Sequence, residues 1–207
     1  MVKRGKFIVF DGLDGSGKTT QAKLLAQYLF DKSKSNSVFL TREPYSATFY
    51  DKIRTALKQG SDPRKRARLF LNLFVRDRRL HIRDIEKLLS SGVHVITDRY
   101  KYSTLAYQQA QGIPFEELLA AHANMLRPDL VLLIDLPVDE IVKRIGGDTS
   151  RAVVEIFEKE EFMQQLRKNY RALPKRLPDE PLKIVSGIGS VQEVFARIRK
   201  KADMLFS

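Results

Sequence analysis

Residues 7–20 of this chain read FIVFDGLDGSGKTT, and they decide the fold. The first four are apolar, as is typical of a buried strand, and residues 12–19 match the pattern G-x-x-x-x-G-K-[ST] without a deviation. Apolar side chains then recur at helical spacing, at Ala22, Leu25, Ala26 and Leu29. Strand, glycine-rich loop and helix in this order are the context in which that pattern binds the phosphates of a nucleotide.

The residue types of the loop suit this task. Gly12, Gly15 and Gly17 keep side chains away from a row of backbone N–H groups and allow positive φ angles. The helix that begins near Lys18 points the positive end of its dipole at the phosphates. Lys18 supplies a positive charge to the outer phosphates, and the Thr19 hydroxyl can bind Mg²⁺. The predicted ATP site comprises Gly12, Leu13, Asp14, Gly15, Ser16, Gly17, Lys18 and Thr19.

The composition indicates one domain with a continuous core. The chain has 207 residues, of which 43% are hydrophobic and 30% charged, so we expect a single P-loop domain over residues 1–207. No apolar run approaches the ~18 residues of a membrane-spanning helix, and the N-terminal apolar patch is too short for a signal peptide. The absence of cysteine excludes disulfides and Cys-based zinc sites. We therefore expect a cytoplasmic protein without a membrane partner.

The net charge of +12, from 37 Lys and Arg against 25 Asp and Glu, leaves two interpretations open. One is nucleic acid binding. The other is that arginines bind phosphorylated small molecules. The densest basic run, residues 64–68 (RKRAR), has no interleaved aromatic side chain and is typical of a solvated helix face. We favour the second interpretation and expect no nucleic acid partner.

Strand and helix patterns alternate along the rest of the chain. Apolar runs predict strands at residues 7–10, 37–41, 93–97, 130–134 and 182–186. Helical patterns lie at about 47–58, 64–90, 102–110, 115–126, from 138, at 153–172 and after Ser190, with Pro174, Pro178 and Pro181 in a connector before the last strand. Because the apolar runs are continuous, they predict an α/β fold of three layers, a five-stranded parallel sheet with helices on both faces.

Ligands of such folds bind at the carboxyl ends of the strands, where two predicted strands end in an aspartate. An apolar strand that ends in Asp is how P-loop enzymes place a carboxylate beside Mg²⁺. Asp98 is followed by Arg99, which can clamp a phosphate. Asp135 is followed by Leu-Pro and a helix, which suits a capping or structural role. We therefore predict a Mg²⁺ site at Thr19 and Asp98.

Arginines and an aromatic residue predict a binding surface opposite the loop. Arg42, Arg78 and Arg99 are predicted to form a positively charged wall there. Phe74 and Arg78 are four residues apart and share a helix face, which allows the ring to stack on a flat base. Alternatively, Phe74 packs in the core beside its neighbouring leucines. Two further pairs of residues each share a face of the next helix: Ser103 with Tyr107, and Thr104 with Gln108. They either line the binding site or are ordinary polar residues that cap or line the helix.

Five segments taken together resemble the thymidylate kinase family. They are GLDGSGKTTQ, TREP, LFVRDRR, DRYKYSTLAYQ and RPDLVLLIDLP, in the order of that family and at similar spacing. The glycine-rich loop is a generic motif, but DRY combined with S-T-x-A-Y-Q is specific. The resemblance implies a nucleoside-monophosphate kinase that moves the γ-phosphoryl of ATP onto dTMP with Mg²⁺, giving dTDP and ADP, and it implies a homodimer.

The resemblance also implies roles for individual residues. Lys18, Asp98 and Arg99 would be catalytic, together with Arg151 from a lid at residues 144–155, and Arg144 at the ATP site is the second choice for the lid arginine. The dTMP site would comprise Asp14 on the sugar 3′-hydroxyl, Phe74 on thymine, Arg78 and Gln108 on its polar edge, Arg42 and Arg99 on the phosphate, with Ser103, Thr104 and Tyr107 beside them. Residues 185–189 would lie near the adenine.

A phosphate oxygen would be the attacking group, so this reaction needs no general base. The three histidines, His81, His94 and His122, are therefore predicted to be structural.

The chain departs from the family after R-E-P, where Tyr45, Ser46 and Ala47 replace Gly-Gly-Thr, and this puts the acceptor preference in question. Two alternatives stay open, a deoxynucleoside kinase that uses Glu43 as a base and a nucleic-acid-associated ATPase. A signalling GTPase is disfavoured because the chain has no N-K-x-D motif.

Overall fold

The computed structural model describes residues 3–58, 66–146 and 160–206. The strands are β1 (Phe7–Gly12), β2 (Val38–Arg42), β3 (His94–Asp98), β4 (Leu130–Asp135) and β5 (Leu182–Ser186). The helices are α1 (Lys18–Lys32), α2 (Ala47–Lys58), α3 (Ala67–Ser90), α4 (Lys101–Ala110), α5 (Phe115–Ala121), α6 (Val138–Gly146), α7 (Glu160–Arg176) and α8 (Val191–Phe206). No helix in the described ranges is long and apolar enough to cross a membrane.

The five strands form one sheet in the order β2-β3-β1-β4-β5, and every pairing is parallel. This confirms the predicted α/β fold. Strand β1 lies in the centre, paired with β3 on one side and β4 on the other. The chain's crossovers diverge here, so a crevice opens beyond the carboxyl end of β1, the place where open α/β sheets bind ligands.

Both faces of the sheet are buried by helices. Phe7 and Val9 of β1 face one core, which they share with residues of α3, α4 and α7, while Ile8 and Phe10 face the other, against α1 and α8. All four of these side chains are fully buried, each worth about 1.5–3 kcal/mol of hydrophobic stabilisation. The strand that carries the glycine-rich loop is therefore held firmly from both sides.

Strand β1 is longer than its apolar run predicts because it stays paired as far as Gly12, which lies opposite Ile134 of β4. A Cβ atom on Gly12 would lie 2.5 Å from the Ile134 carbonyl oxygen, and the φ angle of Gly12 is +137°. Only glycine fits this position without strain.

Two predicted helix ends were wrong. The helix predicted at 115–126 is α5, and it ends at Ala121 because the ring Nδ1–H of His122 donates to the Leu118 carbonyl at 2.6 Å, the acceptor that a continuing helix needs. Pro174 does not lie in a connector but in the last turns of α7. That turn persists because Leu173 is fully buried and its carbonyl accepts from the Leu177 N–H at 2.8 Å.

Candidate active site

The phosphate-binding loop lies between β1 and α1. Gly15 and Gly17 adopt φ angles of 78° and 93°, as the turn requires. Lys18 is folded back over the loop, where its Nζ donates to the Leu13 carbonyl at 2.7 Å and lies 3.8 Å from Asp14. Desolvation opposes the charge of Asp14, but Arg99 and Lys18 outweigh it and hold the pKa of this carboxyl well below its usual value. Asp14 is therefore a carboxylate at neutral pH.

The predicted metal pair is brought together at the carboxyl ends of β1 and β3. The Thr19 hydroxyl donates to Oδ2 of Asp98. The other oxygen, Oδ1, is buried and has no hydrogen-bond partner among the described residues. A hydroxyl beside a carboxylate oxygen that lacks a partner is the donor set that Mg²⁺ prefers, with phosphate oxygens and water completing its shell. The described residues contain no cluster of three or more His, Cys, Asp or Glu that could hold a metal without such a substrate.

Arg99 has a strained backbone that aims its side chain at the loop. Its φ angle is +79°, a conformation that costs a non-glycine residue about 1–3 kcal/mol. Two hydrogen bonds maintain it, from the Arg99 N–H to the Phe10 carbonyl at 2.8 Å and from the Thr97 hydroxyl to the Arg99 carbonyl at 3.0 Å. The guanidinium then contacts Asp14 and donates to Ser103 Oγ at 2.9 Å.

A cavity of about 280 Å³ opens beside Asp14 and Arg99. One part is apolar and is lined by Ile53, Leu57, Phe70 and Phe74. The rest is polar and includes Arg78, Thr104, Tyr107 and Gln108. The Oε1 atom of Gln108 is buried without a hydrogen-bond partner among the described residues, so a ligand donor would satisfy it. Most residues that the sequence assigned to the acceptor nucleotide line this one cavity.

Arg78 is held by a buried network at the wall of the cavity. It is 1% exposed, and its Nε and Nη2 lie 2.7 and 2.6 Å from Oε2 of Glu43. Its Nη1 donates to Nε2 of His122 at 2.7 Å, and its Nη2 to the Thr104 hydroxyl at 3.2 Å. The other oxygen of Glu43 lies 3.2 Å from Nδ1 of His81. Both carboxylate oxygens of Glu43 are therefore engaged, and the residue is not available as a base.

Comparisons with known proteins agree with this geometry. The family model described as thymidylate kinase matches residues 10–198. A probable thymidylate kinase of Thermococcus onnurineus is 41% identical over 91% of this chain and 92% of its own length. Probable thymidylate kinases of Pyrococcus horikoshii and Methanococcus aeolicus are 39% and 38% identical, over 94% and 95% of this chain and the same shares of their own lengths. This chain belongs to the thymidylate kinase family.

The predicted arginine wall is divided between two cavities. Arg78 and Arg99 line the first cavity, whereas Arg42 is exposed and lines a second one of about 310 Å³ with Lys23, Tyr45 and the Thr19–Asp98 pair. The Thr19–Asp98 pair also lines the second cavity, so Arg42 lies beside the predicted metal pair and not in the cavity that Arg78 and Arg99 line.

Tyr45, which stands where thymidylate kinases usually have glycine, does not line the first cavity. Its ring stacks on His81 with 4.3 Å between ring centres, and its hydroxyl donates to Asp84 at 3.0 Å. The N–H groups of Tyr45 and Ser46 both donate to Asp77, at 2.7 and 2.8 Å. The departure from the family pattern thus packs against α3 and leaves the cavity beside Phe74 open.

Two further predicted residues, Asp135 and Arg144, lie at the end of β4 and in α6. Asp135 receives three hydrogen bonds from Arg167 and Arg171, at 2.7 to 3.0 Å, which fits the structural role predicted for it. Arg144 donates to the Gly187 carbonyl at 3.1 Å and so contacts the segment 185–189 expected near the adenine. Arg151 and residues 147–155 of the predicted lid lie outside the described residues.

Asp11, the last residue before the phosphate-binding loop, is not among the site residues predicted from the sequence. It is fully buried and accepts five hydrogen bonds, from the N–H groups of Gly12, Tyr100 and Ser103 and from the hydroxyls of Ser103 and Tyr170. Burial raises the pKa of Asp11, while the charge of Arg99 and these hydrogen bonds counteract the increase. The signal that identified Asp98, an apolar strand that ends in aspartate, is present here as well.

Proposed function

We propose that this protein transfers the γ-phosphoryl group of ATP to dTMP, giving dTDP and ADP. The observation that carries the proposal is that the phosphate-binding loop and the first cavity meet at Asp14 and Arg99. Asp14 is part of the loop, Arg99 contacts it, and both line the cavity that contains Phe74, Arg78 and Gln108. A nucleotide in that cavity would present its phosphate to the γ-phosphoryl of a nucleotide on the loop. The family membership supports the same reaction.

The transfer relies on alignment and charge. A phosphate monoester has a second pKa of about 6 and is mostly a dianion at neutral pH, so the attacking oxygen needs no base. The backbone N–H groups of the loop and Lys18 hold the donor phosphates, and Arg99 holds the acceptor phosphate. Bound Mg²⁺, held by the Thr19 hydroxyl and the unpartnered oxygen of Asp98, would supply charge neutralisation at the β- and γ-phosphates. Arg151 of the lid is the proposed additional cation, with Arg144 as the second choice.

Recognition of the acceptor uses the walls of the first cavity. Phe74 stacks on the thymine ring. The Gln108 Oε1 atom accepts the imide N–H of thymine, and the Arg78 guanidinium lies at the polar edge of the base. Asp14 accepts a hydrogen bond from the sugar 3′-hydroxyl. Thymine fits this arrangement better than cytosine, because cytosine presents an acceptor where Gln108 also presents one.

Phosphorylation of a nucleoside rather than a nucleotide is not favoured. That reaction needs a carboxylate to remove a proton from a neutral hydroxyl. Glu43, the residue at the expected strand end, is 5% exposed and has both oxygens engaged by Arg78 and His81. The homodimer stays a prediction from the family resemblance, and the cytoplasmic location stays a prediction from the composition.

A panel of acceptors tests the proposal. The protein is incubated with ATP and Mg²⁺ and with dTMP, dUMP, dCMP, dAMP, dGMP or thymidine, and ADP and diphosphate products are separated by ion-exchange chromatography. We expect dTMP to have the highest kcat/KM and thymidine to give no dTMP. Turnover of thymidine, or a purine nucleotide as the best acceptor, would contradict the proposal.

A further inference from the structure

The carboxylate of Asp11 connects three parts of the molecule whose relative positions matter for the proposed reaction. It lies at the end of β1, one residue before the phosphate-binding loop. Its Oδ2 accepts the N–H groups of Tyr100 and Ser103 at 3.2 and 3.0 Å, which are the N-cap residue and the third residue of α4. Asp11 therefore caps α4 from a different element, in the manner of a capping side chain.

The helix that Asp11 caps carries the acceptor side of the site. Ser103, Thr104, Tyr107 and Gln108 all project from α4 into the first cavity, and Arg99 immediately precedes it. A carboxylate at the start of this helix thus sets its position relative to the loop that holds ATP. The third part is α7, the helix that follows the predicted lid, because the Tyr170 hydroxyl lies 2.8 Å from Oδ1 of Asp11.

The Ser103 hydroxyl transmits this arrangement to Arg99. Its single hydrogen is donated to Oδ1 of Asp11 at 2.6 Å, and its oxygen accepts from Arg99 Nη1 at 2.9 Å. Tyr170 lies 3.2 Å from the same oxygen. A serine hydroxyl has one hydrogen and two lone pairs. Because its hydrogen goes to Asp11, Ser103 has no hydrogen left to donate to the phosphate of a substrate.

We infer that Asp11, Ser103 and Tyr170 form a positioning relay that holds the Arg99 guanidinium for phosphoryl transfer, and that Ser103 acts through Arg99 rather than as a dTMP ligand. This inference rests on the proposed function of Arg99. It assigns a role to Tyr170, which neither the motifs nor the cavity single out. A shift of about 1 Å in a group that aligns reactants can cost about 100-fold in rate, so loss of one hydroxyl from the relay has a measurable effect.

Tyr170→Phe and Tyr102→Phe form a matched pair for the test. Both tyrosines are buried, and each donates its hydroxyl to a carboxylate, Tyr170 to Asp11 at 2.8 Å and Tyr102 to Glu180 at 2.7 Å. Tyr102 lies on α4 itself but does not line the first cavity. We expect both variants to lose similar stability in urea unfolding, whereas only Tyr170→Phe lowers kcat for dTMP, by about 10-fold or more.

A double-mutant cycle distinguishes positioning from direct binding. Ser103→Ala and Tyr170→Phe are each combined with Arg99→Ala, and dTDP formation is followed with γ-labelled ATP. We expect each to lower kcat by about 10- to 100-fold beside Arg99 but by less than about 2-fold in the Arg99→Ala background. Equal losses in both backgrounds, or no loss beside Arg99, would overturn the relay. A wild-type protein that forms no dTDP would instead overturn the proposed function, and this is seen before any variant is made.

Discussion

Arg78 has lost the conformational freedom of a surface arginine. Its guanidinium is fixed by Glu43, His122 and Thr104 at the edge of the cavity, and the side chain is 1% exposed. A buried arginine whose donors are already oriented loses little entropy when it meets a ligand. The network thus fixes the Arg78 guanidinium in one orientation at the wall of the first cavity, and it gives two of the three histidines, His81 and His122, a structural role.

The pH dependence of stability reports on His122. Because its Nδ1 donates to Leu118 and its Nε2 accepts from Arg78, the ring is neutral in the folded protein. Burial and the charge of Arg78 lower the pKa of His122 to about 3, from an ordinary value of 6.5. Between pH 6.5 and 3, His122 is therefore protonated in the unfolded state but not in the folded state. As a result, the free energy of unfolding falls as the pH decreases from 6.5 towards 3, by up to about 1.4 kcal/mol per pH unit.

His122→Gln keeps an acceptor for Arg78 and a donor for Leu118 but does not titrate. We expect urea unfolding of this variant to depend less steeply on pH between 6.5 and 5 than that of the wild type. Parallel curves for the two proteins would show that His122 is not held neutral.

Phe74 is half-buried, lines the first cavity and packs against the small cluster of Ile53, Ala56 and Phe70. If it stacks on the acceptor base, Phe74→Ala raises the KM for dTMP by about 10-fold and leaves the KM for ATP nearly unchanged. Phe195→Ala is the control, since Phe195 is also half-buried but packs on Tyr28 between α1 and α8. Equal changes in both KM values for Phe74→Ala would show a packing role only.

The contact between β1 and β4 fixes the position of Gly12, the first residue of the phosphate-binding loop. Gly12 combines a φ of +137° with a Cβ position 2.5 Å from a backbone oxygen, whereas Gly112 has a φ of +96° and open space around its Cβ position. Gly112→Ala therefore costs backbone strain alone, about 1–2 kcal/mol, while Gly12→Ala adds a clash with β4. We expect a clearly larger loss of unfolding free energy for Gly12→Ala in urea titrations. Similar losses of unfolding free energy in both variants would mean that the β4 backbone shifts and relieves the clash.

Most of the elements could be predicted because their signals are local. The continuous apolar runs, such as FIVF and LVLLI, predicted the parallel sheet. The aspartate after residues 93–97 (VHVIT) and the threonine of the glycine-rich loop predicted the Thr19–Asp98 pair. The end of α5 could not be predicted in this way. A side chain, His122, takes the acceptor that the next helical N–H would use, and nothing in the local pattern of apolar residues reports such competition.

The networks around the site depend on the whole molecule. Glu43 and Arg78 are 35 residues apart in sequence, Arg78 and His122 are 44 apart, and Asp11 and Tyr170 are 159 apart. Such contacts exist only after the elements have packed, so no spacing rule anticipates them. The residues that the resemblance implies for the dTMP site line the first cavity, except Arg42. The resemblance gave no indication of the residues that hold them in place.

The net charge of +12 is also a property of the whole molecule. In the proposed function, the arginines of the site bind nucleotide phosphates or carboxylates of the protein. The net charge therefore does not require that the protein also binds nucleic acid. We expect single- and double-stranded DNA to leave the rate of ATP turnover in the presence of dTMP unchanged at 150 mM salt, about the physiological ionic strength. Strong stimulation of ATP hydrolysis by DNA without dTMP would contradict this.

The proposed reaction requires that the loop and the first cavity bring the γ-phosphate of ATP and the phosphate of dTMP into contact. A crystal structure with Mg²⁺, dTMP and a non-hydrolysable ATP analogue tests it directly. We expect dTMP in the cavity beside Phe74, with its phosphate at Arg99 and an oxygen about 3–3.5 Å from the γ-phosphorus. A dTMP molecule bound elsewhere, or phosphates held apart by a bound protein side chain, would contradict it.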